Sequence, residues 1–186
     1  MLILASKSPR RQEILRNAGI AFTVRAPQVE EVRSAGESPE SYVRRLSWQK
    51  AAAVERAKGE VVLGADTVVV VEGIVLEKPV DVADAERMLG MLSGRTHEVL
   101  TGVCLLGRGL EVSDIATTRV RFHTLTAEEI AAYAASGEPA DKAGAYAIQG
   151  LASKYIQGID GCYFNVVGLP IALVYGHLRG AGGLTR

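Results

Sequence analysis

A chain of 186 residues, 48% of them apolar, is long enough to bury a real core as one domain or as two lobes, which excludes a disordered chain. Lys plus Arg and Asp plus Glu both number 21 and only 5% of residues are aromatic, so there is no global field or stacking platform for nucleic acid and none for an anionic membrane. Any anion must be held by a local cluster. Cys104 and Cys162 are far apart, with no CxxC or Cys/His ligand spacing, which argues against a disulfide framework and a zinc site. The apolar stretch within MLILASKSPRR is too short for a signal sequence, and no run reaches the roughly 18 apolar residues of a membrane helix. A soluble, cytoplasmic protein is expected.

Leu2 to Ala5 reads as a short strand, and the spacing of Ile14, Leu15 and Ala18 after Pro9 reads as a helix ending at Gly19. Ser8 suits its cap and Pro9 its first position, so the loop's N–H groups would point into a helix N-terminus, where anions are favoured. Phe22 to Ala26 is a second strand, and Ser38-Pro39 opens a long helix to about Ala57 that carries Lys50. Val61 to Ala65 is apolar on both faces, as in a buried strand, and it is expected to end at Asp66-Thr67 before a second run, Val68 to Val71.

Glu72-Gly73 predicts a hairpin turn into Ile74 to Leu76, and Asp81 with Asp84 predicts a capped helix to about Leu92, stopped by Ser93-Gly94. His97 to Leu106 and Leu110 to Phe122 look like a long hairpin, Thr126 with Glu129 a capping box, Lys154 to Ile159 a strand, and Pro170 the entry to a terminal helix. The pattern predicts an α/β fold with a mixed sheet flanked by helices.

Four constellations carry candidate chemistry. Ser6, Ser8, Arg10 and Arg11 place two hydroxyls and two guanidiniums at a helix start, either a triphosphate cradle or a capped helix with two solvated arginines. Asp66 sits where α/β sheets place ligands, although Asp there also forms turns; Glu30 and Glu31 offer a Mg2+ ligand or an ordinary polar loop. Lys50 and Lys78 are either phosphate neutralisers or solvated charges. In Asp141 to Gly150, small residues permit close backbone approach and Gln149 offers an amide able to read a base edge; a tight strand-and-bulge segment is the structural alternative. His97, His123 and His177 share no ligand or triad spacing and receive no role. Walker and GxGxxG patterns are absent.

Taken in order, Leu2-Ile-Leu-Ala-Ser-Lys-Ser-Pro-Arg-Arg11, Leu63-Gly-Ala-Asp-Thr67, Glu77-Lys-Pro79, Ser93-Gly-Arg-Thr-His97, the segment Asp141 to Gly150 and Val166-Val-Gly-Leu-Pro170 resemble the Maf family over essentially the whole chain. The resemblance implies a single domain over 1–186 with the inosine-triphosphatase-like fold, an elongated mixed sheet with a deep cleft, and a homodimer. It implies a nucleoside triphosphate pyrophosphatase using a divalent cation, Mg2+, Mn2+ or Co2+. Carried over by position, Asp66 is the catalytic proton acceptor and Glu31 and Asp66 are metal-side carboxylates. Ser6, Ser8, Arg10, Arg11, Lys50, Thr67, Lys78 and Gln149 are the substrate-binding set.

Within the family, Arg10, Thr67 and Gln149 resemble the branch acting on dTTP and UTP rather than the branch acting on 7-methyl-GTP, which has Trp, Gln and Glu at those places. An amide both donates and accepts, as a uracil or thymine edge requires. A non-catalytic regulator of septum formation is the main rival; a pure binder would not need two carboxylates beside a cationic cradle, because they repel a triphosphate unless a cation intervenes.

Overall fold

The first apolar run becomes strand β1 (Leu2–Ala5), buried throughout, which leads through Ser6 into helix α1 (Pro9–Asn17). Ser8 accepts the Arg11 N–H as the cap, and Gly19 leaves the helix with φ of 68°. The computed structural model describes residues 1–107 and 109–180; residues 181–186 of the expected single domain lie outside the described residues. Strand β2 (Phe22–Val24) is shorter than expected, and a polar loop leads to α2 (Pro39–Ala52), capped by Ser38. α2 stops short of the expected Ala57 because Val54 turns into the core and the Ala57 N–H is taken by the Glu60 carboxylate at 2.8 Å.

β3 (Val61–Val71) is one continuous strand, a correction to the break expected at Asp66-Thr67. The Asp66 carboxylate is met inside the fold by the Lys50 ammonium at 2.6 Å, so it has no need of a solvent-facing turn. Glu72 and Gly73 both take positive φ, the tight hairpin expected there, and β4 (Ile74–Leu76) follows. Next come α3 (Val82–Leu92), capped by Asp81, β5 (Thr96–Gly107), β6 (Leu110–Phe122) and α4 (Ala127–Ala134) with the expected capping box.

The segment from Glu138 onward is not a strand with a bulge. It forms short 3₁₀ turns at Glu138–Asp141, Ala143–Ala145 and Leu151–Tyr155, so β7 (Ile156–Asp160) begins two residues later than the expected Lys154. Tyr155 is buried in that last turn, its ring against Tyr133 with centroids 5.9 Å apart. A short helix α5 (Tyr163–Val167), not foreseen, precedes α6 (Ile171–Gly180).

Among the described residues seven strands form one sheet in the order β2-β1-β3-β5-β6-β7, with β4 paired to β3. β1 runs parallel to β2 and β3, whereas β3 with β4 and β6 with β7 are antiparallel, so the sheet is mixed as the sequence predicts. The chain divides into two compact units: residues 1–66, 101–116 and 168 onward, and residues 67–100 with 117–167. In the first, Ile3, Val62 and Cys104 meet Ala51 and Val54 under α2. The core of the second gathers Leu76, Leu89, Leu92 and Phe122, each burial contributing about 1.5–3 kcal/mol.

That second core includes a titratable group. His97 is fully buried, its ring edge-on to Phe122 and Tyr146, with Nε2 2.8 Å from the Tyr146 hydroxyl and Nδ1 without a hydrogen-bond partner. Burial pulls its pKa from 6.5 down to about 4. Between those values the unfolded chain binds a proton that the folded chain refuses. Stability is therefore complete above about pH 6.5 and falls as pH drops toward 4, by up to about 3 kcal/mol. Urea unfolding midpoints measured from pH 7.5 to 4.5 should fall for the wild type and fall less steeply for His97→Gln.

Candidate active site

The site begins with two glycines. A Cβ on Gly64 of β3 would lie 2.1 Å from the Ser47 carbonyl oxygen and 2.8 Å from the Ala51 nitrogen, and one on Gly102 of β5 would lie 2.3 Å from the Val43 carbonyl oxygen. Only bare backbone lets α2 lie this close to the sheet. Side chains alternate along a strand, so Asp66, two residues after Gly64, points to the same face and meets α2. There it finds Lys50. The β1–β3 pairing ends at Ala5 and Gly64, so Asp66 lies just past the carboxyl end of β1 although it is interior to β3.

Lys50 is 6% exposed and Asp66 5%, and the Lys50 Nζ stands 2.6 Å from Asp66 Oδ1 and 2.7 Å from Glu31 Oε1. Glu31 is the exposed member, on the loop before α2. That loop is fastened: the Tyr42 hydroxyl donates to the Glu31 carbonyl, and Arg45 donates to the Val32 carbonyl and to both oxygens of Glu37. The Arg45 guanidinium holds the Glu37 carboxyl down at about 2.

Arg11 reaches into the same neighbourhood from α1. Its Nε donates to the Gly168 carbonyl at 2.8 Å and its Nη1 to the Ser6 hydroxyl at 3.2 Å, while Ser6 Oγ also accepts the Ser8 N–H. Burial draws the Arg11 pKa down, Asp66 and Glu31 oppose this, and Arg10 adds to it. A guanidinium starts so high that it stays charged. Ser6, Arg10, Arg11, Glu31, Lys50 and Asp66 thus share one electrostatic neighbourhood in the first unit. Lys50, expected to face phosphate, is held between two carboxylates.

Thr67 opens the second unit, half-buried, directly after Asp66; Lys78 is exposed after β4. Gln149 is exposed on a turn closed by the Gly150 N–H on the Ala147 carbonyl at 3.0 Å. His123 meets Gln157 and His177 meets Asp114, away from these groups in hydrogen-bonding terms, and neither gains a role. Among the described residues no three or more His, Cys, Asp or Glu side chains come together as a metal cage. Two participants escape a reading of the sequence. The Gly168 carbonyl lies in the Val166 to Pro170 motif, where Gly168 takes a φ of 124° that only glycine adopts readily, and the Glu37–Arg45 pair had no signal beyond its charges.

A profile described as Maf-like protein matches residues 1–181. The chain belongs to the Maf family. A Koribacter versatilis protein named dTTP/UTP pyrophosphatase is 56% identical over 184 residues, covering 98% of this chain and 95% of that protein. A Vibrio cholerae protein of the same name is 54% identical over 173 residues, covering 91% and 92%. The Staphylococcus aureus Ham1 structure is similar with a TM-score of 0.55 at 14% identity, covering 96% of this chain and 98% of that one, which shows a shared fold. The mixed-sheet fold implied by the Maf resemblance is thus the one this chain adopts.

The dependence of the Maf site on Gly64 is testable. In Gly64→Ala the new methyl meets backbone atoms that cannot swing aside, so α2 must lift and draw Lys50 from Asp66. Urea unfolding should show a loss of about 3 kcal/mol; an unchanged midpoint would mean that the helix is not seated as described.

Proposed function

We propose that this chain is a nucleoside triphosphate pyrophosphatase that cleaves dTTP and UTP into the monophosphate and pyrophosphate. The observation that carries the reading is the buried Lys50 bridging Asp66 and Glu31 beside Arg11. A carboxylate held rigid in a strand, next to fixed cations, suits proton abstraction from water against a polyanion. The relatives named for this activity, at 56% and 54% identity, support it.

In this reading Asp66 takes a proton from a water whose oxygen attacks the α-phosphorus. The new P–O bond forms as the bond to the bridging oxygen breaks, and pyrophosphate leaves with the electron pair. Arg10, Arg11, Lys50 and Lys78, with the hydroxyls of Ser6 and Ser8, offset the charge that develops on the phosphates. Lys50 at 2.6 Å also fixes the carboxylate it serves. Gln149 is assigned to the base: its amide donates and accepts, matching uracil and thymine, where the carboxylate of the 7-methyl-GTP branch would repel them. Arg10 and Thr67 support the same branch.

A divalent cation, Mg2+, Mn2+ or Co2+, belongs to the proposal. Mg2+ is commonly held by one or two carboxylates together with substrate phosphates rather than by a protein cage, so Glu31 and Asp66 fit it and would hold it. When bound it would offset phosphate charge. A homodimer in the cytoplasm completes the reading; Cys104 and Cys162 are both free thiols, Cys104 with its pKa raised to about 11 by burial.

Pyrophosphate release from a panel of nucleotides, with Mg2+, Mn2+ or EDTA, tests this. dTTP and UTP should be cleaved in a metal-dependent way. Asp66→Asn should lower the rate by about 10³-fold while nucleotide binding by calorimetry persists; full activity in that variant sinks the assignment. No turnover of any nucleotide by folded, nucleotide-binding protein would favour the non-catalytic regulator.

Because Lys50 already stands between the carboxylates, the free protein should bind Mn2+ weakly. The electron paramagnetic resonance signal of aqueous Mn2+ should persist on adding protein and drop only when a non-hydrolysable α,β-methylene analogue of dUTP is also present. Tight uptake without nucleotide would contradict this account of Lys50.

A further inference from the structure

The turn that presents Gln149 is gripped on both flanks by one pair of side chains, neither of them in the substrate-binding set. On its near side the Ala147 N–H donates to the Tyr133 hydroxyl at 3.1 Å. On its far side the Leu151 N–H donates to the Glu138 carboxylate, with both oxygens at 3.1 Å. The two grips are joined, because the Tyr133 hydroxyl donates to Glu138 Oε2 at 2.7 Å. Gly150, next to Gln149, lies so close that a Cβ there would fall 2.1 Å from Glu138 Oε1.

The clamp is itself anchored. Tyr133 is buried on α4, and its phenol is held protonated well above its ordinary range by burial and by Glu138, so it remains a donor to the carboxylate. Glu138 follows Gly137, whose φ of 79° turns the chain out of α4, and its N–H donates to the Ser136 hydroxyl. The residues leading into the turn, Gly144 to Ile148, are buried, yet Gln149 is exposed. A rigid frame thus carries one free amide at its tip. A frame of this kind matters for recognition, since an amide reads a base edge only if its orientation is fixed before the base arrives.

We propose that Tyr133 and Glu138 are positioning residues for Gln149 and set the discrimination between uracil or thymine nucleotides and other nucleotides without touching the substrate. This rests on the assignment of Gln149 to the base edge. Glu138 acts through two acceptor oxygens of equal character, and an amide of the same shape has one. Because the Leu151 N–H lies 3.1 Å from both oxygens, Glu138→Gln sets the carboxamide NH2 against that N–H whichever way the amide is turned, so two donors face each other and the far flank of the turn is loosened.

The test measures kcat and KM for UTP and for GTP, with circular dichroism as a check on folding, in wild type, Glu138→Gln, Tyr133→Phe, Gln149→Ala and the Glu138→Gln/Gln149→Ala double variant. The expected result for Glu138→Gln is a KM for UTP raised about tenfold with kcat within about threefold, and a UTP-to-GTP ratio of kcat/KM reduced about tenfold. Tyr133→Phe should move the same ratio in the same direction, and the double variant should lose no more selectivity than Gln149→Ala alone.

A merely structural role would lower kcat for both nucleotides equally and leave their ratio unchanged, which overturns the proposal, as would collapse of both single variants into unfolded protein. Additive losses in the double variant also overturn it, because the pair would then act by another route. If Gln149→Ala itself leaves selectivity intact, it is the base-reading assignment that fails. If Gln149→Ala changes selectivity and the two clamp variants do not, the clamp fails alone.

Discussion

Lys50 is the constraint around which the first unit is organised. A charged amine brought to 6% exposure has to be met by opposite charge at close range, and Asp66 at 2.6 Å and Glu31 at 2.7 Å meet it. That requirement reaches outward into sequence. α2 must lie near enough to β3 for a lysine side chain to reach a strand carboxylate, which requires Gly64 and Gly102 where any side chain would collide with helix backbone. The loop before α2 must then return Glu31 to the ammonium, which the Arg45–Glu37 and Tyr42 contacts arrange. Buried ion pairs are poor stabilisers compared with apolar packing of equal volume, so the fold gains little stability from this cluster. Its presence is better understood as chemistry than as cohesion.

The second unit handles buried polar groups differently. Its buried polar side chains are phenols, an imidazole, the Thr118 hydroxyl and the Asn165 amide, with the part-buried Glu138 carboxylate beside them, held among apolar residues by hydrogen bonds rather than by paired charge. His97 stays neutral against Tyr146, and Tyr133 stays protonated against Glu138. Asn165 belongs to the same pattern, its amide donating to the Val99 carbonyl and to Thr118 Oγ1. Hydrogen-bonded neutral groups specify orientation at little electrostatic cost, which suits a segment such as 141–150 that is poor in bulky side chains and cannot be fixed by packing alone. Packing contributes there too: Ala145, Tyr146 and Ile148 are buried in the second core, and a Cβ on Gly144 would lie 2.8 Å from Val69, so the backbone itself rests against β3.

What could be read beforehand follows from how local each signal is. Caps at Ser8, Ser38, Asp81 and Thr126, and the Glu72-Gly73 turn, are decided within four residues, and each was legible. The continuity of β3 through Asp66 was not, because an aspartate is tolerated within a buried strand only if a cation arrives from elsewhere, and Lys50 is 16 residues away. The same reason hid the clamp: Tyr133, Glu138 and Leu151 look unremarkable until 3₁₀ turns bring them together. For the site, residue types in a familiar order pointed to Ser6, Arg11, Lys50 and Asp66. They could not reveal that Arg11 is anchored to Ser6 and Gly168, or that the lysine lies between carboxylates.

The unequal standing of the two carboxylates bears on which one takes the proton. Asp66 belongs to a strand paired on both sides in the sheet and is buried; Glu31 rides on a loop with its side chain 43% exposed. A general base gains from a fixed position and from exclusion of water, since the proton must pass over a short and reproducible distance. A group that exchanges partners gains from the opposite. Lys50 and Asp66 are both buried where α2 meets β3, whereas the contact to Glu31 is released when only an exposed loop side chain turns away. This division supports Asp66 as the acceptor in the proposed reaction and Glu31 as the member that yields its contact when phosphate and cation enter.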